Sequence, residues 1–252
     1  MFKSSSIALA VCAGTMVAIP AAQAADIPEP PPPVVVVHGW YLRGDIGYSN
    51  QQVDSLDNAL YDAYDSVDNV YADFDGAPFF GFGVGYRWNN WFRTDVTGEY
   101  RSKSDFDGLD IATIGGVIIP DNYIAKKSEW LALVNGYFDL GTWHGITPFV
   151  GAGVGAANIW ISDFTDVGVT VDSVAFGEDN GEWDFAWALY AGLGFEVTEA
   201  FTVELAYRYL DLGDGESGDL IAFDGTNLID NPMEFNGITS HDIKLGVRYT
   251  FW

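Results

Sequence analysis

The carboxy-terminal segment, residues 240–252, alternates strictly between two kinds of side chain. One parity is apolar or aromatic and comprises Ile243, Leu245, Val247, Tyr249 and Phe251. The other parity carries every charged residue and comprises Asp242, Lys244, Gly246, Arg248 and Thr250. A period of two is that of a β-strand, and this distribution is typical of a strand with lipid on one face and a polar lumen on the other. The segment therefore predicts a membrane-spanning strand.

Seven further segments alternate in the same way, at about residues 40–49, 79–89, 91–101, 129–140, 146–161, 183–197 and 201–212. The connections between the strands alternate in length. Long ones cover 50–78, 102–128, 162–182 and 213–240, and short ones cover 89–90, 141–145 and 198–200. We predict an all-β fold, an eight-stranded antiparallel transmembrane β-barrel with four long extracellular loops and short periplasmic turns.

The charged parity is assigned to the lumen, because a basic side chain facing lipid costs ~2–4 kcal/mol at the membrane midplane. The predicted polar network of the lumen comprises Arg43, Asp45, Arg87, Arg93, Asp95, Glu99, Arg101, Glu204, Arg208, Lys244 and Arg248. An eight-stranded barrel has room only for side chains, so a structural plug is favoured over a pore. The alternative, a small conductance, depends on gaps at lumen glycines, namely Gly81, Gly83, Gly85, Gly151, Gly153 and Gly155.

Two features of the alternation leave choices open. A secreted soluble barrel or sandwich would alternate as well, but with its apolar face inside. Aromatic residues near both ends of the strands favour the membrane. In the strand at 129–140, the outward placement of Trp130 and Val134 puts Leu131 and Leu133 in the lumen, and we predict that register.

The amino terminus predicts export. Residues 1–24 have the charged, apolar and small-residue order of a cleaved signal peptide. The alternative, a lipoprotein acylated at Cys12, is disfavoured because Val11 is bulky for the preceding position. Residues 25–38 contain five prolines and are predicted to form a stiff periplasmic leader, followed by the barrel at 39–252.

Composition excludes several kinds of function. Without the signal peptide, 10 basic residues face 36 acidic ones, a net charge of −26 that disfavours nucleic acid as a partner. Ser240, His241 and Asp242 are neighbours in one strand and therefore point to opposite faces, so they are not a catalytic triad. We predict no catalytic residue, no metal site and no cofactor. Divalent cations bridging the acidic loops to lipopolysaccharide phosphates are a disfavoured alternative.

Several segments resemble a known family: WYLRGDIGYS (40–49), WFRTDVTGEYR (91–101), ELAYRYLDLG (204–213) and HDIKLGVRYTF (241–251). They are similar to the small eight-stranded outer-membrane barrel proteins of alphaproteobacteria. Lys244, Gly246, Tyr249 and Phe251 resemble the carboxy-terminal signal of such barrels for the outer-membrane assembly machinery, with Trp252 as one additional residue. The resemblance implies an outer-membrane location in a Gram-negative cell, contact with lipid and lipopolysaccharide, and a role in envelope integrity.

The resemblance also implies alternatives. Some relatives are narrow porins, and others are surface receptors or adhesins, including haem binders, for which His241 is the only histidine near the predicted surface. Relatives whose mature chain begins Ala-Asp are joined to peptidoglycan through that end, and Ala25-Asp26 matches them. We expect the stiff spacer at 27–37 to hold the Ala25 amine well below the membrane.

Overall fold

The computed structural model describes residues 38–170, 173–227 and 229–251, and its long elements are all β-strands. The predicted signal peptide, Ala25, Asp26 and Trp252 lie outside the described residues. The eight long strands are β1 (Gly39–Gln52), β3 (Ser66–Arg87), β4 (Phe92–Ile114), β5 (Val117–Asp139), β6 (Ile146–Gly168), β8 (Asn180–Glu196), β9 (Phe201–Glu216) and β11 (Glu234–Thr250). Three short strands and one 3-10 turn complete the set: β2 (Ser55–Asp57), β7 (Ser173–Gly177), β10 (Leu220–Ala222) and Tyr61–Ala63. Within the described ranges, we find no helix with the length and apolarity needed to span a bilayer.

The eight long strands close into a ring of antiparallel pairs. Strand β1 pairs with β3 on one side and with β11, the last strand, on the other. Strand β6 pairs with both β5 and β8, which completes the circuit. The predicted eight-stranded antiparallel barrel is confirmed.

The two ends of the barrel differ. At the end where β1 begins and β11 ends, the connections are tight, and we refer to it as the short-turn end. The turn after β3 is held by the Asn89 side chain, whose Oδ1 accepts hydrogen bonds from the backbone N of Trp91 (2.9 Å) and of Phe92 (2.8 Å). The opposite end, the hairpin end, carries the long connections.

The segments predicted as long loops are largely continuations of the strands. Strands β4 and β5 each have 23 residues and meet at the two-residue turn Gly115-Gly116. Both glycines have positive φ (56° and 81°), as tight hairpin turns of this kind require. The segment 102–128 is therefore a β-hairpin that projects beyond the barrel.

The charge pattern of the sequence does not reveal this extension, because beyond residue 101 the inward face becomes apolar and the outward face becomes polar. The β4–β5 register shifts between Arg101 and Ser104, and beyond this bulge the other parity points inward. Asp105 and Asp107 are exposed, whereas Phe106 between them is fully buried. Outside a membrane the exposed face is polar and the inner face apolar, so the charge pattern of the lipid-spanning part no longer applies.

A broad band of the outer surface is apolar. Large side chains exposed there include Leu42, Ile46, Phe80, Phe82, Val96, Val134, Val154, Phe185, Leu189, Leu205, Leu245 and Val247. Phe82 is 75% exposed, and a continuous apolar surface of this size is typical of contact with lipid. Trp40 and Tyr48, also exposed, bracket the band on β1 and are eight positions apart, or about 26 Å of strand before tilt. At the ~35–45° tilt of such strands, that span covers about 20 Å of membrane height, which is most of the ~25 Å apolar band of outer-membrane barrels.

The predicted register of the strand at 129–140 is confirmed. Trp130 and Val134 are exposed on the outer surface, while Leu131 and Leu133 are buried inside. These leucines lie in the hydrophobic core cluster with Tyr137.

Candidate functional site

Side chains fill the lumen, and most of them are charged. Ten of the eleven residues predicted for the polar network have buried side chains there: Arg43, Asp45, Arg93, Asp95, Glu99, Arg101, Glu204, Arg208, Lys244 and Arg248. The eleventh, Arg87, is partly exposed at the short-turn end and pairs with Asp139 (3.3 Å). The closed ring of strands brings these residues together from distant parts of the sequence.

Near the short-turn end, the network is centred on Glu204. Its carboxylate oxygens lie 2.8 Å from Arg248 Nη1, 3.2 Å from Arg93 Nη2 and 3.6 Å from Arg43 Nη2. Arg93 also pairs with Asp139 (3.2 Å). One carboxylate from β9 therefore joins guanidinium groups from three other strands.

Arg43 connects this cluster to the far wall of the lumen. Its Nε and Nη2 donate to Asp45 (2.9 and 2.8 Å), and its Nη1 donates to Asp95 (2.9 Å) and to the Tyr137 hydroxyl (2.9 Å). Because all four side chains are buried, these charge-assisted bonds act in a low-dielectric setting.

A second cluster lies nearer the hairpin end. Arg101 donates to both oxygens of Asp242 (3.0 and 3.0 Å), and Arg208 donates to both oxygens of Glu99 (3.0 and 2.6 Å). Lys244 adds a contact to Glu99 (3.4 Å). Two-pronged guanidinium–carboxylate pairs of this type fix the orientation of the side chains as well as pairing their charges.

Lys127 was wrongly placed in a loop by the sequence argument. Its side chain is fully buried in the lumen, where the ammonium bonds to Gln51 and Glu129. Asp139 was also missed, although it continues the inward parity of Glu129 on the same strand. The inward position of Lys127 follows from its parity with Glu129, once β5 is known to extend past residue 128.

The charges of the network nearly balance. The eight cationic residues are Arg43, Arg87, Arg93, Arg101, Lys127, Arg208, Lys244 and Arg248. The seven anionic residues are Asp45, Asp95, Glu99, Glu129, Asp139, Glu204 and Asp242. Since the chain has 36 acidic residues, the other 29 lie outside the network and account for its acidic character.

Neighbouring side chains occupy the space beside several lumen glycines. The ring of Tyr41 lies against Gly85, and the ring of Tyr137 lies against Gly151. The Tyr41 hydroxyl donates to Asp95 (3.0 Å), which holds the ring in place. The gaps that the alternative of a small conductance requires are therefore filled at Gly85 and Gly151.

An aromatic layer covers the network toward the hairpin end. Phe74, Phe106, Phe164 and Phe235 are buried, with ring centroids 4.9 Å apart for Phe74 and Phe106, 5.0 Å for Phe106 and Phe235, and 6.2 Å for Phe164 and Phe235. The Lys127 ammonium lies 4.3 Å from the Phe74 ring centroid, at the boundary between the two layers. The rings separate the charged lumen from the space beyond.

Beyond the aromatic layer, the strand extensions and two connections line a half-open pocket of about 270 Å³. Asp121, Asp166 and the tyrosines Tyr61, Tyr64 and Tyr123 are among its lining residues, and we call it the outer pocket. Burial, followed by repulsion from neighbouring carboxylates, raises the pKa of Asp166 to about 7 and that of Asp121 to about 6. Sequence reasoning placed Asp166 in an acidic loop and did not identify Asp121.

The remaining candidate residues do not form a reactive site. Ser240 Oγ donates to Asp242 in the lumen (2.6 Å), whereas His241 is exposed on the outer surface with its Nδ1 2.6 Å from the Tyr207 hydroxyl. The three residues therefore do not converge. In the part of the chain that the structure describes, no group of three or more His, Cys, Asp or Glu side chains is arranged to hold a metal ion.

The residues predicted to form a carboxy-terminal signal divide between the two faces of β11. Lys244 is buried in the lumen, and Gly246 lies beside the Asp45 carboxylate. Tyr249 and Phe251 are exposed on the outer surface with their ring centroids 5.2 Å apart.

Comparison with known proteins agrees with this architecture. The family described as "Outer membrane protein beta-barrel domain" matches residues 9–251. The chain is 32% identical to an uncharacterised protein of Brucella suis over the full length of both, and 27% identical to the outer membrane protein PagN of Salmonella typhimurium, covering 84% of this chain and 90% of that protein. The crystal structure of OprG from Pseudomonas aeruginosa superposes with a TM-score of 0.50 at 12% identity, covering 84% of this chain and 97% of that one, and shows a shared fold.

The short-turn end is thereby the periplasmic end, and the hairpin end is extracellular. The apolar outer band, the charged lumen and the match over nearly the whole chain lead to one assignment. This chain belongs to the outer membrane protein beta-barrel domain family and is located in the outer membrane of a Gram-negative cell.

Proposed function

We propose that this protein is a non-catalytic structural barrel that supports the integrity of the outer membrane. The observation that carries the proposal is the filled lumen, in which Arg93, Arg101 and Arg208 are among the largest fully buried side chains. Each of them has carboxylate partners on other strands. Cross-lumen pairs of this kind hold opposite walls of the barrel together, which suits a structural element better than a passage.

The alternative of a narrow porin requires an open path along the barrel axis. Solute moving from the periplasmic end would have to displace the pairs at Glu204 and then those at Glu99. It would then meet the packed rings of Phe74, Phe106 and Phe235. Breaking a buried ion pair costs about 3–5 kcal/mol, so a resting path through several of them is disfavoured.

A haem receptor is not favoured by the position of the surface histidine. His241 bonds to Tyr207 on the outer wall of the barrel and is not among the residues that line the outer pocket. The envelope role uses other contacts. We propose that lipid and lipopolysaccharide contact the apolar band, and that the assembly machinery recognises Tyr249 and Phe251, both of which are exposed.

A deletion strain tests the envelope role. We expect loss of the protein to raise the sensitivity of the cell to bile salts and to large antibiotics that an intact outer membrane excludes. The wild-type gene should restore resistance, and so should a variant altered only in the outer pocket. Unchanged sensitivity in the deletion strain, with the protein confirmed as abundant in the parent, would contradict the proposal.

We also propose that the mature amino terminus tethers the barrel to peptidoglycan. The support is the Ala25-Asp26 start and the proline-rich spacer that follows it. Mass spectrometry of envelopes digested with muramidase, without prior denaturation, tests the link. A muropeptide mass on the Ala25 amine is expected, and a free amine in all of the recovered peptide would contradict the tether.

A further inference from the structure

The walls of the outer pocket bring like charges together. Asp110 of β4 lies directly opposite Asp121 of β5, and Asp166 of β6 lies opposite Tyr123, one inward position further along β5. Like charges directly opposite in an antiparallel ladder destabilise the pair. Asp121 and Asp166 thus line one side of the pocket, and Asp110, which does not line it, is buried opposite Asp121.

Two of these carboxylates have an oxygen without a partner. Asp110 is 1% exposed, and its Oδ2 accepts a hydrogen bond from the Tyr61 hydroxyl, a lining group of the pocket. Its Oδ1 is buried and has no hydrogen-bond partner among the described residues, and the same holds for Oδ1 of Asp166. Buried acceptors in folded proteins are almost always satisfied. Of these two oxygens, only that of Asp166 belongs to a residue that lines the pocket, so it is the one that a donor from a bound ligand can satisfy.

The described lining of the pocket contains no lysine or arginine that could neutralise Asp121 and Asp166. The adjacent basic residue Lys126 is exposed and pairs with Asp163 outside the pocket (3.2 Å). The compensating charge therefore has to come with a ligand.

The rest of the lining favours an organic cation over a bare metal ion. Tyr61, Tyr64 and Tyr123 present aromatic rings, and Leu60, Ile229 and Met233 add apolar surface. Aromatic rings attract ammonium groups through their negative faces. A volume of about 270 Å³ is far larger than a single ion needs, and no group of three or more His, Cys, Asp or Glu side chains among the described residues could hold a metal ion.

We propose that the outer pocket binds a small organic ammonium ion, with the ammonium group between Asp121 and Asp166 and the alkyl part against Tyr64 and Met233. The N–H groups of the ligand donate to the carboxylates. Asp110 acts indirectly, because its bond to the Tyr61 hydroxyl fixes one wall. The proposal is independent of the envelope role, which rests on the lumen.

Met233 offers a direct probe of this site. The chain has three methionines, and Met233 is the only one after the predicted signal peptide. The mature barrel, labelled with 13C-methyl methionine and placed in lipid nanodiscs, would be titrated with n-butylammonium at pH 8. We expect a saturable shift of the Met233 methyl signal. The neutral analogue 1-butanol should give none at the same concentrations.

Two variants make the test specific. Asp121→Asn with Asp166→Asn should weaken n-butylammonium binding by roughly ten-fold or more, since hydrogen bonds to charged groups are worth about 1.5–3 kcal/mol. Asp163→Asn is the matched control, because Asp163 lies on the same strand, is exposed and has a positive φ that Asn tolerates. Its affinity should equal that of the wild type.

Three outcomes would overturn the proposal. These are no saturable shift in the wild type, equal binding by the double variant, and saturation by Ca²⁺ when n-butylammonium has no effect. Folding of each variant is checked by the heat-dependent gel mobility of the barrel, and if the double variant fails to fold, each single Asn variant is titrated instead. The test of the envelope role in the deletion strain does not depend on any of these results.

Discussion

Arg101 of β4 and Asp242 of β11 form a buried two-pronged ion pair across the lumen, with both N–O distances 3.0 Å. Strands β3 and β1 lie between these two strands in the sheet, so the pair crosses the lumen between strands that are not neighbours. Neither side chain has measurable exposure to solvent. An interaction of this kind links strands that share no backbone hydrogen bonds and gives the barrel a fixed cross-section.

Adjacent lysines on β5 provide a matched test of the lumen network. Lys127 is buried with Glu129, whereas Lys126 is exposed with Asp163. Lys127→Met should lower the free energy of unfolding by about 3 kcal/mol, because it removes one of the two cations, Lys127 and Arg101, that pair with the buried Glu129 carboxylate. Lys126→Met should change it by less than about 1 kcal/mol. Urea unfolding in detergent micelles measures both, and similar losses would show that burial is not the cause.

The lipid-facing assignment is tested by the same substitution at two apolar, exposed positions. Leu205 lies in the outer apolar band, and Val117 lies at the tip of the β4–β5 hairpin. Leu205→Arg should reduce membrane insertion by the ~2–4 kcal/mol cost of a basic residue facing lipid. Val117→Arg should insert normally because its side chain is in water. The measurement is the folded fraction in liposomes. Normal insertion of both variants would contradict the assignment of Leu205 to the lipid-facing surface.

Much of the barrel could be predicted from the sequence because lipid imposes a simple rule. Residues such as Leu205 and Glu204 must point to opposite faces, and their alternation is sufficient to place the strand. The rule ends at the membrane surface. Beyond the bulge at Arg101–Ser104, Phe106 points inward and Asp105 outward, so a search for inward charges treats the strand as a loop.

The outer pocket could not be predicted from the sequence pattern alone. Asp110, Asp121 and Asp166 come from three strands, and their proximity depends on the hairpin register of the extensions. Tyr61 joins them from a 3-10 turn in a separate connection. Nothing in the local sequence distinguishes these aspartates from the many others that are solvated.

The pocket carboxylates predict a pH dependence of stability. The folded pKa of Asp166, about 7, exceeds its ordinary value of 3.8, so the folded state binds the additional proton between about pH 4 and 7. Stability should therefore fall as the pH rises through this window. The groups facing Asp166 include Asp110, Asp121 and Tyr123, none of which is cationic.

Asp166→Asn should accordingly be more stable than the wild type at pH 8, and the difference should vanish near pH 4. Urea unfolding at the two pH values measures it. The control Asp163→Asn, at an exposed position of the same strand, should not be stabilised at pH 8. A constant gain for Asp166→Asn at both would mean that the carboxyl does not titrate in this range.

Planar-bilayer recording of the purified barrel tests the closed lumen most directly. The account predicts no conductance steps above background, because the ion pairs at Glu204 and Glu99 and the aromatic layer at Phe106 block the axis. Stable steps in the wild type that change size when Arg93 or Glu99 is replaced by glutamine would contradict it and show a path through the network.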